Sequence, residues 1–274
     1  MAPLFSVVIP TFNRKPLLKK AIDSVLNQTI NDFELIVVDD GSTDSSILLV
    51  GDYAGRGITY IRTQNRGVSH ARNTGIMSSR GKYIAFLDSD DTWQTDKLEH
   101  VFNYISEFPD IDIFHTEERW VRGGEEVKQK EKYRRRSGNI YSYCLPVCCI
   151  GMSTLVVKKA LFDKIGLFDE DMPVCEDYDI FLRATYNNEV KLVPHVLTVK
   201  DGGRDDQLSG SPALDEFRIY ALEKMLKTGF LNGEQMELTI GELRKKCSIF
   251  AKGAEKRGRI EDAKKYLDKL KEYS

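Results

Sequence analysis

Asp88 and Asp90 stand two positions apart, just after the apolar run Tyr83-Ile84-Ala85-Phe86-Leu87. Carboxylates aimed past the end of a buried strand suit a divalent cation and the phosphates it neutralises, because ligands of open α/β sheets collect in the crevice at the carboxyl ends of the strands. The competing reading is an Asp-rich turn that caps a helix beginning near Thr95. A D-x-D match in a chain with 42 acidic residues does not decide between them.

Two further strand ends carry polar residues of the same kind, Thr11-Phe12-Asn13-Arg14 and Asp39-Asp40-Gly41-Ser42-Thr43-Asp44. Three strand ends would then converge on one crevice. Glycine-rich phosphate loops are missing: no G-x-G-x-x-G follows a strand, and Gly75 to Gly81-Lys82 misses the P-loop spacing by one residue. Without a backbone cradle a diphosphate needs a metal to offset its charge, and Asp88 with Asp90 offer the hard oxygen ligands that Mg²⁺ or Mn²⁺ takes.

The elements that must position these residues follow from hydrophobic period. Phe5 to Pro10, Phe33 to Val38, Ile58 to Ile61, Tyr83 to Leu87 and Ile111 to Phe114 read as strands; Leu17 to Leu26, Val68 to Ile76 and Leu98 to Phe108 read as amphipathic helices between them. Alternating elements with continuous apolar strands predict an α/β fold with a mainly parallel sheet covered on both faces. The regularity weakens after Thr116. Lys128, Lys130, Lys132, Arg134, Arg135 and Arg136 then form a basic run broken by Glu131, which reads as a solvated, mobile loop or as a collector of an anionic acceptor. From Leu214 onward three helices follow, with Gly229, Gly233 and Gly258 as punctuation. Their apolar faces predict packing onto the rest of the chain or onto a second subunit, which leaves a homodimer open.

Forty Lys plus Arg against 42 Asp plus Glu give a net charge of −2, so nothing global points to nucleic acid. Five cysteines, an odd number without paired metal spacing, read as buried thiols. With no leader-like segment ahead of the first strand, they predict a reducing, cytoplasmic setting. Ser137 to Val157 is uncharged, yet Asn139, Ser142, Pro146 and Gly151 make it a buried loop and strand rather than a span. Peripheral association at the inner face of a membrane stays open. Trp93 and Trp120 could stack on a sugar or pack in the core, and the four histidines lack ligand spacing.

Five blocks occur in order: Ser6 to Arg14 (Ser-Val-Val-Ile-Pro-Thr-Phe-Asn-Arg), Leu35 to Asp44, Asn65 to Gly75, Phe86 to Asp91 and Cys175 to Asp179. In order and spacing they resemble glycosyltransferase family 2, over about residues 4 to 210. The resemblance implies a GT-A fold over 1–211, with 212–274 as a helical C-terminal extension. It also implies a nucleotide-sugar donor (UDP-sugar first, GDP- or dTDP-sugar as alternatives), Mn²⁺ or Mg²⁺, and inverting transfer to a saccharide or lipid-linked saccharide acceptor, as in bacterial surface polysaccharide synthesis. By the same resemblance Thr11, Asn13 and Arg14 would line the nucleotide pocket, Asp39 or Asp40 would accept from the base, and Arg72 would approach the nucleotide. Asp88 would contact the ribose and with Asp90 serve the metal, and Asp177 would be the catalytic base. A carboxylate so placed takes the proton of the attacking hydroxyl, worth about 10² to 10⁴ in rate, and the metal offsets charge on the departing diphosphate.

One departure stands out. Many relatives carry a histidine before a Q-L-S-like motif, whereas here the stretch is Asp201-Gly-Gly-Arg-Asp-Asp-Gln-Leu-Ser209. Arg204 could bind phosphate there, Asp205 or Asp206 could serve the metal, and Gly202 and Gly203 could hinge a closing loop. Two other functions fit parts of the pattern: a nucleotide-sugar binding module without turnover, and a nucleotidyltransferase on a related sheet.

Overall fold

The computed structural model describes residues 2–204 and 214–273. Among the described residues nine strands form one sheet. In chain order the strands are β1 (Phe5–Thr11), β2 (Phe33–Asp39), β3 (Ile58–Arg62), β4 (Tyr83–Phe86), β5 (Asp91–Trp93), β6 (Ile113–Arg122), β7 (Glu125–Val127), β8 (Leu155–Lys158) and β9 (Val190–Gly202). The helices are α1 (Lys15–Leu26), α2 (Ser46–Gly51), α3 (Val68–Ser78), α4 (Lys97–Glu107), α5 (Tyr141–Cys144), α6 (Phe162–Ile165), α7 (Glu176–Thr185), α8 (Leu214–Lys227), α9 (Gly233–Lys256) and α10 (Ile260–Glu272).

The strand order is β3-β2-β1-β4-β8-β6-β9-β5, with β7 hairpinned onto β6. The β3-β2-β1-β4 half is parallel throughout. Beyond β4 the sheet is mixed: β8 is antiparallel to β4 and to β6, β6 runs parallel to β9, and β5 closes the edge antiparallel to β9. The expected mainly parallel order thus holds for the half that alternates strand and helix. The other half depends on pairings between segments too distant in sequence for periodicity to reveal.

Alternation along the strands sends side chains to two helical layers. Val7, Ile9, Ala85 and Leu87 pack with α1 and α4 through Leu18, Ile22, Leu98 and Val101. Val8, Ile84 and Phe86 face the opposite layer, where Ile76 of α3 and Ile180 and Phe181 of α7 lie. Gly75 lets α3 settle onto β1: a Cβ there would fall 2.3 Å from Val8 Cγ1. At Gly81 a Cβ would fall 2.6 Å from the backbone N of Ser6. The glycines that nearly spell a phosphate loop are therefore packing glycines.

The C-terminal helices share the second core. Leu222 and Met225 of α8, Leu243, Cys247 and Phe250 of α9 and Tyr266 of α10 belong to one buried cluster with Phe86, Ile113, Tyr178 and Phe181. A full capping box at Asn232 and Gln235 starts the long α9, and Lys246 Nζ donates to Pro146 O at 3.0 Å.

The basic run is only partly solvated. Lys128, Lys130, Lys132 and Arg134 are exposed, but Arg135 is buried, ion-paired with buried Glu118 and donating to Cys149 O. Fully buried His115 on β6 fixes the next residue, its Nε2 lying 2.8 Å from the Arg136 carbonyl. A carbonyl only accepts, so Nε2 carries the proton. Burial, with Arg135 nearby, lowers the His115 pKa to about 4.

Two outcomes follow from this packing. Leu243→Ala should destabilise the whole chain by about 2–5 kcal/mol, and urea unfolding followed by circular dichroism and by tryptophan fluorescence should give coincident transitions. Two separate transitions would mean that the C-terminal helices fold as their own unit. For His115, the folded chain keeps the imidazole neutral down to about 4 while the unfolded chain protonates near 6.5, so its contribution is complete above 6.5 and is lost as pH falls from there through about 4. That difference is on the order of 3 kcal/mol, and His115→Gln should flatten the stability profile across the window in chemical denaturation at stepped pH.

Candidate active site

One cleft of about 1170 Å³ opens at the carboxyl ends of β1, β2 and β4. The loop after β1 is stitched to the loop after β2: Asn13 N donates to Ser42 Oγ at 2.8 Å, Thr43 N to Asn13 Oδ1 at 2.7 Å and Lys15 N to Asp44 Oδ2 at 2.8 Å. Asn13 accepts a left-handed backbone (φ 52) to make these contacts. Thr11, Asn13, Arg14 and Asp40 line the cleft, and the buried Thr11 hydroxyl has no hydrogen-bond partner among the described residues.

The two aspartates after β2 part company. Asp40 accepts from Gly67 N at 2.7 Å, Arg66 N at 3.0 Å and Thr63 Oγ1 at 3.1 Å, pinning the start of α3. Asp39 turns inward, accepting from Ser42 N at 2.7 Å and from the Tyr60 hydroxyl, and is not among the cleft-lining residues.

After β4 the backbone delivers three carboxylates, not two. Oxygens of Asp88, Asp90 and Asp91 all lie within 4.8 Å of one another. Asp91 was legible as the last residue of Asp88-Ser-Asp-Asp but carried no assigned role. Ser153, from the uncharged stretch, organises the group: Asp88 N donates to its Oγ at 3.0 Å, and its Oγ donates to Asp91 Oδ2 at 2.6 Å. Burial raises the Asp91 pKa to about 8. Asp90 is ion-paired with Arg14 at 3.1 Å and with Arg204. Lys200, which also lines the cleft, is held above the ordinary lysine range despite its burial by Asp91, Glu118, Asp88 and Asp177.

Arg72 of α3 spans the site from beneath. Its guanidinium donates to Asp88 Oδ1 at 2.8 Å and to Glu176 Oε1 at 2.5 Å, with only 4% of its side chain exposed. Burial works against the Asp88 charge, but Arg72, Lys200 and Arg14 outweigh it and hold the carboxyl below its usual range. At Glu176 burial and neighbouring Asp177 win over Arg72, raising its pKa to about 7.

Glu176 and Asp177 open α7, where the helix dipole favours negative charge. The turn into α7 is tight, with Cys175 left-handed at φ 62. Asp177 faces the cleft, its Oδ1 accepting from Tyr178 N at 2.7 Å and its Oδ2 from the Cys148 thiol at 3.2 Å. Burial and Asp177 push that thiol well above its ordinary pKa, so it stays a neutral donor. All five cysteines are free, but Cys148 thus touches a candidate site residue, unlike the purely packed thiols expected. Asp179 is fully buried with Arg183 at 2.6 Å and stays out of the cleft wall.

Trp93 is buried, with Nε1 donating to Ser153 O at 2.8 Å, and is core. Trp120 lines the cleft. Gly203 (φ 90) lies beneath the Arg122 side chain, so that a Cβ there would come within 2.6 Å of Arg122 Cγ. Asp205, Asp206 and the Gln207-Leu208-Ser209 motif lie outside the described residues. Among the described residues no helix is long and apolar enough to cross a membrane.

The profile of glycosyl transferase family 2 matches residues 6–165. An uncharacterised glycosyltransferase of Rickettsia typhi is 31% identical over 235 residues, covering 84% of this chain and 72% of the relative. The minor teichoic acid biosynthesis protein GgaB of Bacillus subtilis is 36% identical over 187 residues, 63% of this chain but 20% of that protein. The chain spans 58% of a Rickettsia prowazekii relative and 26% of one from Rickettsia bellii. Among solved structures, S. aureus TarS 1-349 in complex with UDP-GlcNAc superposes with a TM-score of 0.70 at 18% identity, covering 99% of this chain and 92% of that one. The mannosyltransferase PcManGT from Pyrobaculum calidifontis, in complex with GDP-Man and Mn²⁺, gives 0.64 at 18% identity over 100% of this chain and 76% of that one. The fold is that of GT-A glycosyltransferases, and the chain belongs to glycosyl transferase family 2.

Proposed function

We propose that the chain transfers a sugar, with inversion, from a nucleoside-diphosphate sugar to an acceptor hydroxyl in the synthesis of a surface polysaccharide or glycoconjugate. The observation that carries this reading is the placing of Asp177, Asp88 and Asp90 on one cleft at the carboxyl ends of the parallel strands, with the buried Asp91 carboxylate within 4.8 Å of the latter two. The structural relatives, one in complex with UDP-GlcNAc and the other with GDP-Man and Mn²⁺, support a nucleotide-sugar donor. The name of GgaB supports a cell-surface product. We take 1–211 as the transferase domain and 212–274 as its helical extension.

In this reading Thr11, Asn13, Arg14 and Asp40 receive the nucleotide. Asp39 supports from behind by holding the Ser42 turn and Tyr60. Three carboxylates with oxygens inside 4.8 Å are the hard donor set that Mg²⁺ or Mn²⁺ takes, so Asp88, Asp90 and Asp91 fit such an ion. A bound ion would supply charge neutralisation to the leaving diphosphate. Arg72 holds Asp88 in place and keeps it ionised through its charge. Asp177 takes the proton of the acceptor hydroxyl while that oxygen bonds to the anomeric carbon and the bond to the diphosphate oxygen breaks on the opposite face. Its two hydrogen bonds, from Tyr178 N and Cys148, fix the carboxylate before the acceptor arrives.

Asp177→Asn keeps the shape but removes the base, so calorimetric donor affinity should survive while transfer falls by at least about a hundredfold. A near-normal rate would move the role to Glu176. Asp90→Ala should weaken nucleoside diphosphate binding far more with Mn²⁺ present than without it, and equal losses in the two titrations would count against a metal at this carboxylate. Release of nucleoside diphosphate from UDP-, GDP- and dTDP-sugars tests the reaction itself: no release despite binding would mean a binding module, and pyrophosphate release a nucleotidyltransferase.

A further inference from the structure

The cleft extends well past the carboxylates. Its far wall is the β6–β7 hairpin and the segment after it, where Trp120, Val127 and Tyr133 face the same space as Asp177. At about 1170 Å³ it exceeds the roughly 300–1,000 Å³ usual for a site holding one small ligand. We propose that this wall is the acceptor subsite, and that the acceptor it takes is a saccharide or polyol chain carrying phosphate. The assignment of an acceptor rests on the transferase reading above; the ligand chemistry rests on the wall itself.

Both aromatic rings are fixed before any ligand arrives. Trp120 Nε1 donates to Glu118 Oε1 at 2.6 Å, and Glu118 is locked by its buried ion pair with Arg135. Tyr133 leans on Trp120 with ring centroids 5.6 Å apart at 40°. A half-buried pair held in this way offers apolar faces to the C–H faces of a sugar or polyol. Charge then selects among such chains. Between Arg119 and Arg134 six exposed cations face three exposed carboxylates, Glu125, Glu126 and Glu131, in a chain whose net charge is −2. Two of the cations lie close by, one on the cleft wall and one beside Tyr133. Arg122 lines the cleft and lies across Gly203, and Lys132 Nζ sits 4.9 Å from the Tyr133 ring centre. An aromatic wall with Arg122 on it and further exposed cations beside it suits an anionic chain better than a neutral glycan, and phosphate is an anion that an Arg fork binds in a bidentate way and Lys as a point charge.

The test uses the full chain and three probes: a glycerol-phosphate oligomer, a maltooligosaccharide of equal length and phosphatidylglycerol vesicles, each titrated calorimetrically with and without UDP. The phosphate oligomer should bind at least about tenfold more tightly than the neutral one and weaken as NaCl rises from about 50 to about 300 mM. Trp120→Ala should reduce its affinity about tenfold or more and leave UDP binding unchanged. Because Trp120 packs on Tyr133, the exposed pair Arg122→Gln with Lys132→Gln provides a second arm: it should lower affinity for the phosphate oligomer and abolish the preference over the neutral one, with the melting temperature unchanged. Equal binding of the two oligomers, indifference to both variants, or vesicles binding as tightly as the oligomer would each overturn the proposal. Loss of UDP binding with Trp120-dependent oligomer binding intact would instead overturn the transferase reading and leave the subsite standing.

Discussion

Everything at the site depends on one buried guanidinium. Arg72 is almost wholly enclosed and reaches Asp88 after β4 and Glu176 at the start of α7. A cation taken from water needs compensating charge and hydrogen bonds close by, and losing one partner of a buried pair costs far more than the pair contributes. Arg72 therefore fixes the spacing between the strand end and the helix that carry the two sets of functional carboxylates. The neighbouring residue extends the clasp: Asn73 donates to Phe168 O at 2.9 Å and to Glu170 at 3.0 Å, and accepts from Phe168 N at 2.9 Å. The Phe168 ring lies under Arg72 at 5.5 Å. Helix α3, with little hydrophobic asymmetry of its own, is thus held by glycine packing on one side and polar contacts on the other.

The parallel half of the fold could be read from sequence because each of its strands is a continuous apolar run followed by a helix of clear period. The mixed half could not. Strand β6 reads Ile-Phe-His-Thr-Glu-Glu-Arg-Trp-Val-Arg, and its pairing with β9 shifts register around Thr116, Glu117 and Glu118. No alternation survives such a bulge. Three-residue β5 is a strand only because Val199 and its neighbours lie beside it. Charges mislead in the same region: Lys97, Glu118 and Arg135 look solvated in sequence, yet all three are buried with partners, Lys97 donating to Ser153 O at 2.7 Å.

Among the anticipated site residues Thr11, Asn13, Arg14, Asp40, Arg72, Asp88, Asp90 and Asp177 converge on the cleft. Apart from Arg72, which lies inside α3, they sit at or near ends of regular elements, where the chain leaves little freedom in direction. Asp39 was indistinguishable from Asp40 in sequence, and only the register of β2, which ends at Asp39, decides which of the two faces inward. Ser153 and Lys200 had no local signal. Their importance comes from interactions with residues distant in sequence, Ser153 with Asp88 and Asp91 and Lys200 with those same carboxylates.

The left-handed residue before α7 has a consequence for the energetics of the whole molecule. Cys175 has a Cβ, so φ 62 is a conformation it adopts at a cost. Such strain lasts only where surrounding contacts over-determine it, and here the clasp of Arg72 on Glu176 helps to do so. The chain gives up part of its folding free energy to aim Asp177, and a glycine at 175 would relieve the strain while loosening that aim. Selection for heat resistance and selection for turnover would then pull this one backbone position in opposite directions.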